Sequence, residues 1–166
     1  MHHYEIGVIG LGAIGEPVAR NLSSKFQIQV WNRNPEKHRN LDSKSVSIAE
    51  SLQSFDAAII LTVLPNCDEV LEVLNTGLLE TLEKDDLLVV MGTVSPESMS
   101  TINDLVGTKG ARAVDAPVSG GDVGAQEARL SIMVGGSSHD YTRLLPFFKV
   151  IGSSIKHVGA LGSAQG

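Results

Sequence analysis

The sequence predicts an α/β fold, a doubly wound and mostly parallel sheet with helices on both faces. Short apolar runs alternate along the chain with stretches of helical character. Strand followed by helix, repeated, is typical of right-handed βαβ units. Several of the apolar runs also lack polar alternation, which indicates strands covered on both faces, as in a parallel sheet.

The element boundaries follow from these patterns. The predicted strands are Ile6–Ile9, Ile28–Trp31, Ala57–Val63, Leu87–Met91, Ala111–Val114, Leu130–Val134 and Ser154–Val158. The predicted helices are Ile14–Ser23, Pro35–Leu41, Ile48–Ser54, Asp68–Leu82, Pro96–Val106 and His139–Val150. Residues Pro117–Ala128 are glycine-rich and separate two strands without an obvious full helix, a kind of loop that often carries function.

Length and charge limit the classes of function. A chain of 166 residues suggests one domain, and its net charge of −6 disfavours a nucleic-acid partner. Apolar stretches such as Ala57–Leu61 are far shorter than the roughly 18 residues of a membrane span, and we expect neither a membrane segment nor a signal peptide. Cys67 is the single cysteine, which fits a reducing, cytoplasmic setting, and no cluster of Cys or His predicts a metal site.

A G-x-G-x-x-G pattern follows the first predicted strand, in the sequence Gly10-Leu11-Gly12-Ala13-Ile14-Gly15. In such a loop the first glycine permits the tight turn, the second lets the backbone approach a pyrophosphate, and the third lets helix and sheet pack closely. The helix that follows offers N–H groups and a positive dipole end to phosphates. The pattern therefore predicts a Rossmann-type dinucleotide site; the alternative is a βα turn with purely structural glycines.

The end of the second strand should read the adenosine ribose. Asn32, Arg33 and Asn34 stand there, about 20 residues after the glycine loop as expected, and no carboxylate occurs before Glu36. An acidic residue selects NAD, whereas a nearby arginine accepts the extra phosphate of NADP. Arg33, helped by Asn32, Asn34 and Lys37, favours NADP(H) over NAD(H). Alternatively Asn32 or Asn34 caps a solvated helix opening at Pro35, and both interpretations can hold together.

A second glycine loop, Asp115-Ala116-Pro117-Val118-Ser119-Gly120-Gly121, follows a later strand. Gly120 and Gly121 allow successive N–H groups to converge on an anion, and the Ser119 hydroxyl can add a donor. Such a site suits a substrate carboxylate; the alternative is a glycine-rich turn without a ligand. Asp115 could be a base, but its position before Ala116-Pro117 favours a role in shaping the loop.

The last residues, from Gly159 to Gly166, form a turn that enters a helix, with Ser163 a candidate N-cap. A helix of one turn without a body indicates a chain that continues or a fragment. We therefore expect residues 1–159 to form an NADP-binding Rossmann domain and residues 160–166 to begin an inter-domain helix.

Several of these segments together resemble the 3-hydroxyisobutyrate dehydrogenase family, the β-hydroxyacid dehydrogenases that include glyoxylate/succinic semialdehyde reductases. The resemblance covers the whole chain. The matching segments are Gly10–Asn21, Trp31–Asn34, Leu64-Pro65, Gly92–Pro96, Asp115–Gly121 and Ile132–Gly136. The resemblance implies an N-terminal Rossmann domain, a long connecting helix and an all-α C-terminal domain, the last absent here.

The resemblance also implies roles for individual residues. Gly10, Gly12 and Gly15 would bind the pyrophosphate, with Leu11, Ala13 and Ile14 in the same loop. Leu64-Pro65 would line the cofactor groove, Thr93 would lie near the nicotinamide, and Ser119, Gly120 and Gly121 would hold the carboxylate of a small hydroxy acid or semialdehyde. Alternatively Leu64-Pro65 merely ends a strand, and Thr93 or Ser95 caps the helix at Pro96.

The family's general acid is a lysine, which the match places two residues after Gly166. The resemblance therefore implies no catalytic residue within this chain, which we expect to be inactive alone; a homo-oligomer is allowed. Ile14, Ala128 and Ala164 stand where the family commonly has Met, Gly and Gly. Ala128 would be strained if its φ is positive.

Two other functions stay open. The chain could be a non-catalytic NADP-binding module. It could also be a relative of imine-reducing enzymes, although an imine substrate has no need of the carboxylate loop around Ser119.

Overall fold

The computed structural model describes residues 1–41 and 44–165, and these form nine strands in one sheet. The strands are β1 (Tyr4–Ile9), β2 (Ile28–Trp31), β3 (Val46–Ile48), β4 (Ala57–Thr62), β5 (Leu87–Val90), β6 (Arg112–Asp115), β7 (Val118–Ser119), β8 (Leu130–Gly135) and β9 (Gly152–Gly159).

The first six strands are parallel and lie in the order β3-β2-β1-β4-β5-β6, the arrangement of a Rossmann fold. Beyond β6 the direction reverses. β8 pairs antiparallel to β6 through Asp115 and Gly135, β7 pairs antiparallel to β8, and β9 runs parallel to β8. The predicted mostly parallel, doubly wound sheet is confirmed.

Five α-helices connect the described strands: α1 (Gly15–Ser23), α2 (Cys67–Val73), α3 (Pro96–Gly107), α4 (Gly121–Gln126) and α5 (Ser138–Ile151). Short 3-10 helices cover Pro35–Leu41, Leu52–Ser54, Leu79–Thr81 and Ser163–Gln165, and one π-helical turn covers Leu74–Leu78.

Two apolar cores lie on opposite faces of the sheet, because adjacent strand residues point to opposite sides. On β4, Leu61 packs into the core that α1, α4 and α5 cover. Its neighbour Ile60 packs into the core that α2 and α3 cover. Both side chains are fully buried, which explains why the central strands lack polar alternation.

The predicted helix Ile48–Ser54 is wrong. Ile48 ends β3, a three-residue edge strand that is too short to show a period, and only Leu52–Ser54 is helical. The predicted helix Asp68–Leu82 is also broken. α2 ends at Val73, and the chain goes on as a π-helical turn over Leu74–Leu78 and a 3-10 turn over Leu79–Thr81. Within the π-helical turn Gly77 has φ of 142°, a conformation that interrupts the helix.

The glycine-rich region Pro117–Ala128 contains two elements that the sequence did not predict, β7 and α4. β7 has two residues and α4 has six, lengths at which periodicity carries no signal. The helix expected from residue 160 is a 3-10 turn at Ser163–Gln165 in the described residues, and Gly166 lies outside them.

Candidate functional site

A cleft of about 420 Å³ opens at the carboxyl edge of the parallel sheet. It lies beyond the ends of β1, β4 and β5, where the strand order reverses between β1 and β4. Open α/β sheets bind ligands at this switch point. The cleft is lined by Gly12, Ala13, Ile14, Gly15, Val63, Leu64, Pro65, Met91, Gly92, Thr93 and Val118.

The glycine loop forms the turn from β1 into α1, and two of its glycines are required by packing. Gly10 has φ of 99°, and a Cβ there would overlap the Val63 carbonyl oxygen. A Cβ on Gly15 would overlap the carbonyl oxygen of Gly10. Glycine at these two positions therefore lets the turn pack tightly against Val63, the residue that follows β4.

Gly12 differs from both, because no heavy atom of the described residues lies within 4 Å of a Cβ built on it. Packing within the chain therefore gives no reason for glycine at this position. The position lies on the wall of the cleft, so the missing side chain leaves room for a group to approach the backbone.

The start of α1 also lacks a side-chain cap in the part of the chain that the structure describes. The other long helices are capped: Ser95 accepts from Ser98 at α3, and Ser137 accepts from Asp140 at α5. Together with the open face of Gly12, this uncapped helix start fits the pyrophosphate of a dinucleotide.

Asn32 holds the glycine loop from the end of β2. Its side-chain oxygen accepts from the Leu11 N–H at 2.8 Å, and its Nδ2 donates to the Asn34 carbonyl at 3.0 Å. Asn34 in turn accepts from the Glu36 N–H at 3.0 Å, as a cap of the turn at Pro35 does. The capping role that the sequence left open therefore belongs to Asn34.

Arg33 lies exposed beside a smaller cavity of about 300 Å³, lined by residues of β2, α2 and the segment after β3. Its guanidinium lies 2.6 Å from the carboxylate of Glu72 on α2, and this hydrogen bond raises the pKa of Arg33. Lys37 is exposed on the following 3-10 helix. Arg33 is thus placed where the fold puts the adenosine end of a dinucleotide, with an anion already beside it.

Leu64 and Pro65 follow β4, and Thr93 follows β5, so all three reach the cleft. The two loops touch, because a Cβ on Gly92 would overlap the Leu64 carbonyl oxygen. Ser95, not Thr93, caps α3 by accepting from the Ser98 N–H at 3.0 Å. Thr93 is therefore exposed on the cleft wall without a capping role.

The second glycine loop lies beside the cleft and reaches it through Val118. Ser119, Gly120 and Gly121 are exposed, and the two glycines have φ of 127° and 65°, conformations that other residues rarely adopt. α4 follows and is tied to α1 by the Asn21 side chain, which donates to the Ala125 carbonyl at 2.9 Å.

The loop closes on Ala128, whose φ of 57° confirms the expected strain. Its neighbour Arg129 donates its N–H to the Gly124 carbonyl at 2.8 Å, which completes a Schellman-type end to α4. Glycine is the usual residue at such a position, and the alanine side chain stands here instead.

Two residues around the cleft have contacts that the sequence did not reveal. Asp115 is fully buried and accepts from the N–H groups of Gly162 and Ala164. The Gln165 side chain bonds to Gly92 and Val94. The structural role inferred for Asp115 agrees with these contacts, whereas a glutamine in a short terminal turn carries no sequence signal.

The strand order, the switch-point cleft and the glycine loop define a dinucleotide-binding domain of the Rossmann class. The comparison with known families agrees: residues 5–159 match the family described as the NAD-binding domain of 6-phosphogluconate dehydrogenase, and the chain belongs to it.

Two individual relatives are similar to nearly the whole chain. The chain is 36% identical to 2-hydroxy-3-oxopropionate reductase of Escherichia coli, over 97% of this chain and 56% of the relative. It is 37% identical to 2-(hydroxymethyl)glutarate dehydrogenase of Eubacterium barkeri, over 97% and 55%. The chain thus spans about half the length of the curated relatives it matches.

Among solved structures, a 3-hydroxyisobutyrate dehydrogenase of Mycobacterium tuberculosis with L-serine superposes with a TM-score of 0.88. It is 27% identical and covers 98% of this chain and 56% of that one. The resemblance to the 3-hydroxyisobutyrate dehydrogenases is confirmed, and the chain is an NAD-binding domain similar in sequence and fold to the matching half of hydroxyacid dehydrogenases.

No helix among the described residues has the length and apolar character needed to cross a membrane. No group of three or more His, Cys, Asp or Glu within the described ranges is placed to hold a metal ion.

Proposed function

We propose that this chain binds NADP(H) in the switch-point cleft. Gly10–Gly15 receive the pyrophosphate, Leu64 and Pro65 border the groove, and Thr93 faces the nicotinamide. The observation that carries the proposal is Gly12, where packing gives no reason for glycine and the cleft lies directly outside.

The preference for NADP(H) over NAD(H) rests on the end of β2. Arg33 offers a planar set of N–H donors suited to a phosphate, and Asn34 and Lys37 lie in the turn that follows. Asn32 contributes indirectly, because its side chain already holds the Leu11 N–H and thereby the shape of the glycine loop.

Ser119, Gly120 and Gly121 are proposed to hold the carboxylate of a small hydroxy acid or semialdehyde. Gly120 and Gly121 have positive φ, and the loop is continuous with Val118 in the cleft wall. A carboxylate held there would be oriented beside the Thr93 side of the cleft, and such orientation is a main source of rate.

A nicotinamide cofactor, when bound, supplies the hydride. The residues of this chain bind the two ligands and orient them. We propose that the proton donor is a lysine beyond Gly166, so that residues 1–159 form the nucleotide-binding domain and residues 160–166 lead into a connecting helix. Loss of a general acid typically costs about 10²–10⁴-fold in rate, so this chain alone is expected to be inactive.

Binding and turnover test these statements separately. Calorimetric titration with NADPH and NADH should give tighter binding of NADPH. Arg33→Ala should remove most of the preference, since a charged hydrogen bond is worth roughly 1.5–3 kcal/mol. Arg20→Ala is the matched control, because Arg20 pairs with Glu16 on α1. Equal affinity for both cofactors in the wild type would contradict the preference.

Turnover is followed as loss of NADPH absorbance with glyoxylate, succinic semialdehyde and related acids. The chain should remain at background while still binding NADPH. A rate comparable with that of a longer chain containing the proposed lysine would place the proton donor among the residues described here. Binding without turnover in the longer chain would favour a non-catalytic NADP-binding module.

A further inference from the structure

Residues 160–165, which follow β9, are attached to the carboxyl edge of the sheet at two separate points. The Asp115 carboxylate accepts from the N–H of Gly162 at 2.7 Å and from the N–H of Ala164 at 2.9 Å. The Gln165 side chain accepts from the Val94 N–H at 3.0 Å and donates to the Gly92 carbonyl at 3.1 Å. The sheet therefore holds the segment through Asp115, and the segment in turn holds the loop after β5 through Gln165.

The Asp115 attachment is built into the sheet. Asp115 ends β6, is fully buried, and pairs with Gly135 across the β6–β8 junction. A Cβ on Gly135 would overlap the Asp115 carboxylate, so glycine leaves the space that the carboxylate occupies. A buried carboxylate is costly without hydrogen bonds, and the segment's two N–H groups supply them.

The Gln165 side chain bonds to the residues on both sides of Thr93, Gly92 and Val94. One side-chain amide thereby fixes the peptide groups before and after Thr93. Leu161 packs against the core beneath α2 and α3, which keeps the segment close to this loop. Thr93 itself stays exposed on the wall of the cleft.

We propose that Asp115 and Gln165 are positioning residues of the cofactor site. Together they hold residues 160–165 against the loop after β5 and thereby fix the wall at which the nicotinamide half of the dinucleotide binds. The identity of that ligand rests on the proposed function. Asp115 also begins the second glycine loop, which carries Ser119. The same residue therefore connects the wall proposed for the nicotinamide with the loop proposed for the substrate carboxylate.

A comparison of ligands with and without the nicotinamide half distinguishes this positioning role from a purely structural one. The adenosine half is assigned to the end of β2, near Arg33, whereas the Gln165 side chain hydrogen-bonds to Gly92 and Val94 in the loop after β5. Loosening Thr93 should therefore weaken the intact dinucleotide and leave a ligand without nicotinamide unaffected. A general loss of stability would weaken both.

The experiment compares wild type, Gln165→Ala and the control Gln27→Ala, which changes an exposed glutamine between α1 and β2. Each protein is titrated with NADPH and with adenosine 2′,5′-bisphosphate. Two lost hydrogen bonds should weaken NADPH binding of Gln165→Ala by about 5- to 20-fold. The bisphosphate should bind within about twofold of wild type, since its proposed contacts lie elsewhere. An unchanged NADPH affinity, or equal weakening of both ligands, overturns the inference.

Amide hydrogen exchange provides a second measurement that needs no ligand. Gln165→Ala should speed exchange at Val94, and Asp115→Asn should speed exchange at Gly162 and Ala164. Unchanged exchange at these amides in folded variants overturns the two attachments. If Asp115→Asn does not fold, the Gln165→Ala data decide. Wild type that binds neither ligand refutes the proposed function and this inference with it, whereas normal binding by Gln165→Ala refutes the inference alone.

Discussion

The guanidinium of Arg33 lies 2.6 Å from the carboxylate of Glu72, so the proposed receptor of the 2′-phosphate is already paired with an anion. Both side chains are about half or more exposed, at 63% and 50%. A phosphate must displace or share this partner, and Glu72 thereby opposes the binding of the ligand that Arg33 attracts.

Replacing Glu72 by Gln should therefore tighten NADPH binding. An exposed ion pair is worth at most about 1 kcal/mol, so the expected gain is about two- to fivefold. NADH, which lacks the phosphate, should bind as before. Calorimetry with both cofactors measures this, and Glu97→Gln in the first turn of α3 is the control for a lost charge at an exposed helix position. Weaker NADPH binding by Glu72→Gln would contradict the competition.

Ala128→Gly should stabilise the fold. The alanine occupies the left-handed region at φ 57°, which costs about 1–2 kcal/mol for a residue with a side chain. The greater freedom of glycine in the unfolded chain offsets about 0.4–1 kcal/mol of that. Urea unfolding should show a gain of about 0.5 kcal/mol. Ala160→Gly, where φ is not positive, should instead destabilise; equal losses in both variants would refute the strain.

His2 should make stability depend on pH. Burial acts to lower the pKa of His2, but its Nδ1 lies 2.7 Å from Asp56 and its Nε2 lies 2.6 Å from Asp86, and these contacts, with Glu83 nearby, raise the pKa overall. A raised pKa means that protonation of His2 favours the folded state. The stabilisation is full below the ordinary histidine pKa of about 6.5 and is lost as pH rises through the folded value.

Urea unfolding at a series of pH values tests this. Wild type should lose stability relative to His2→Gln as the pH rises from about 6 towards 9. His157→Gln is the control, because His157 stacks on Tyr141 and its Nε2 lies 2.7 Å from the Gly136 carbonyl oxygen, a different part of the fold from Asp56 and Asp86. Parallel pH profiles for wild type and His2→Gln would contradict the role of His2.

The sequence predicted the fold where local patterns carry the information. The central strands are buried on both faces, so runs such as Ala57–Thr62 stand out as apolar, and the glycine loop lies at the β1–α1 turn as expected. The prediction from sequence failed where tertiary contacts determine the secondary structure. The three residues of β3 become a strand by pairing with β2, and Gly77 breaks a helix that an apolar period had joined.

The candidate site shows the same division. The glycine loop and Arg33 could be recognised in the sequence, because the small size of glycine and the charge of arginine are properties of the residues themselves. The partners of Asp115 and Gln165 are distant in sequence: Asp115 bonds to Gly162, and Gln165 bonds to Gly92. Such contacts arise only when the carboxyl ends of the strands meet, so no spacing along the chain reveals them.

NADPH binding by wild type, Gly12→Ala and Gly107→Ala tests the proposed cofactor site most directly. A Cβ at either glycine meets no described heavy atom within 4 Å, so both variants should fold with nearly unchanged melting temperatures. Gly12 faces the cleft, whereas Gly107 ends α3. A methyl group between backbone and pyrophosphate should weaken NADPH binding by about tenfold or more in Gly12→Ala, with Gly107→Ala binding as wild type. Equal binding by all three, or no binding by the wild type, would contradict the proposed cofactor site.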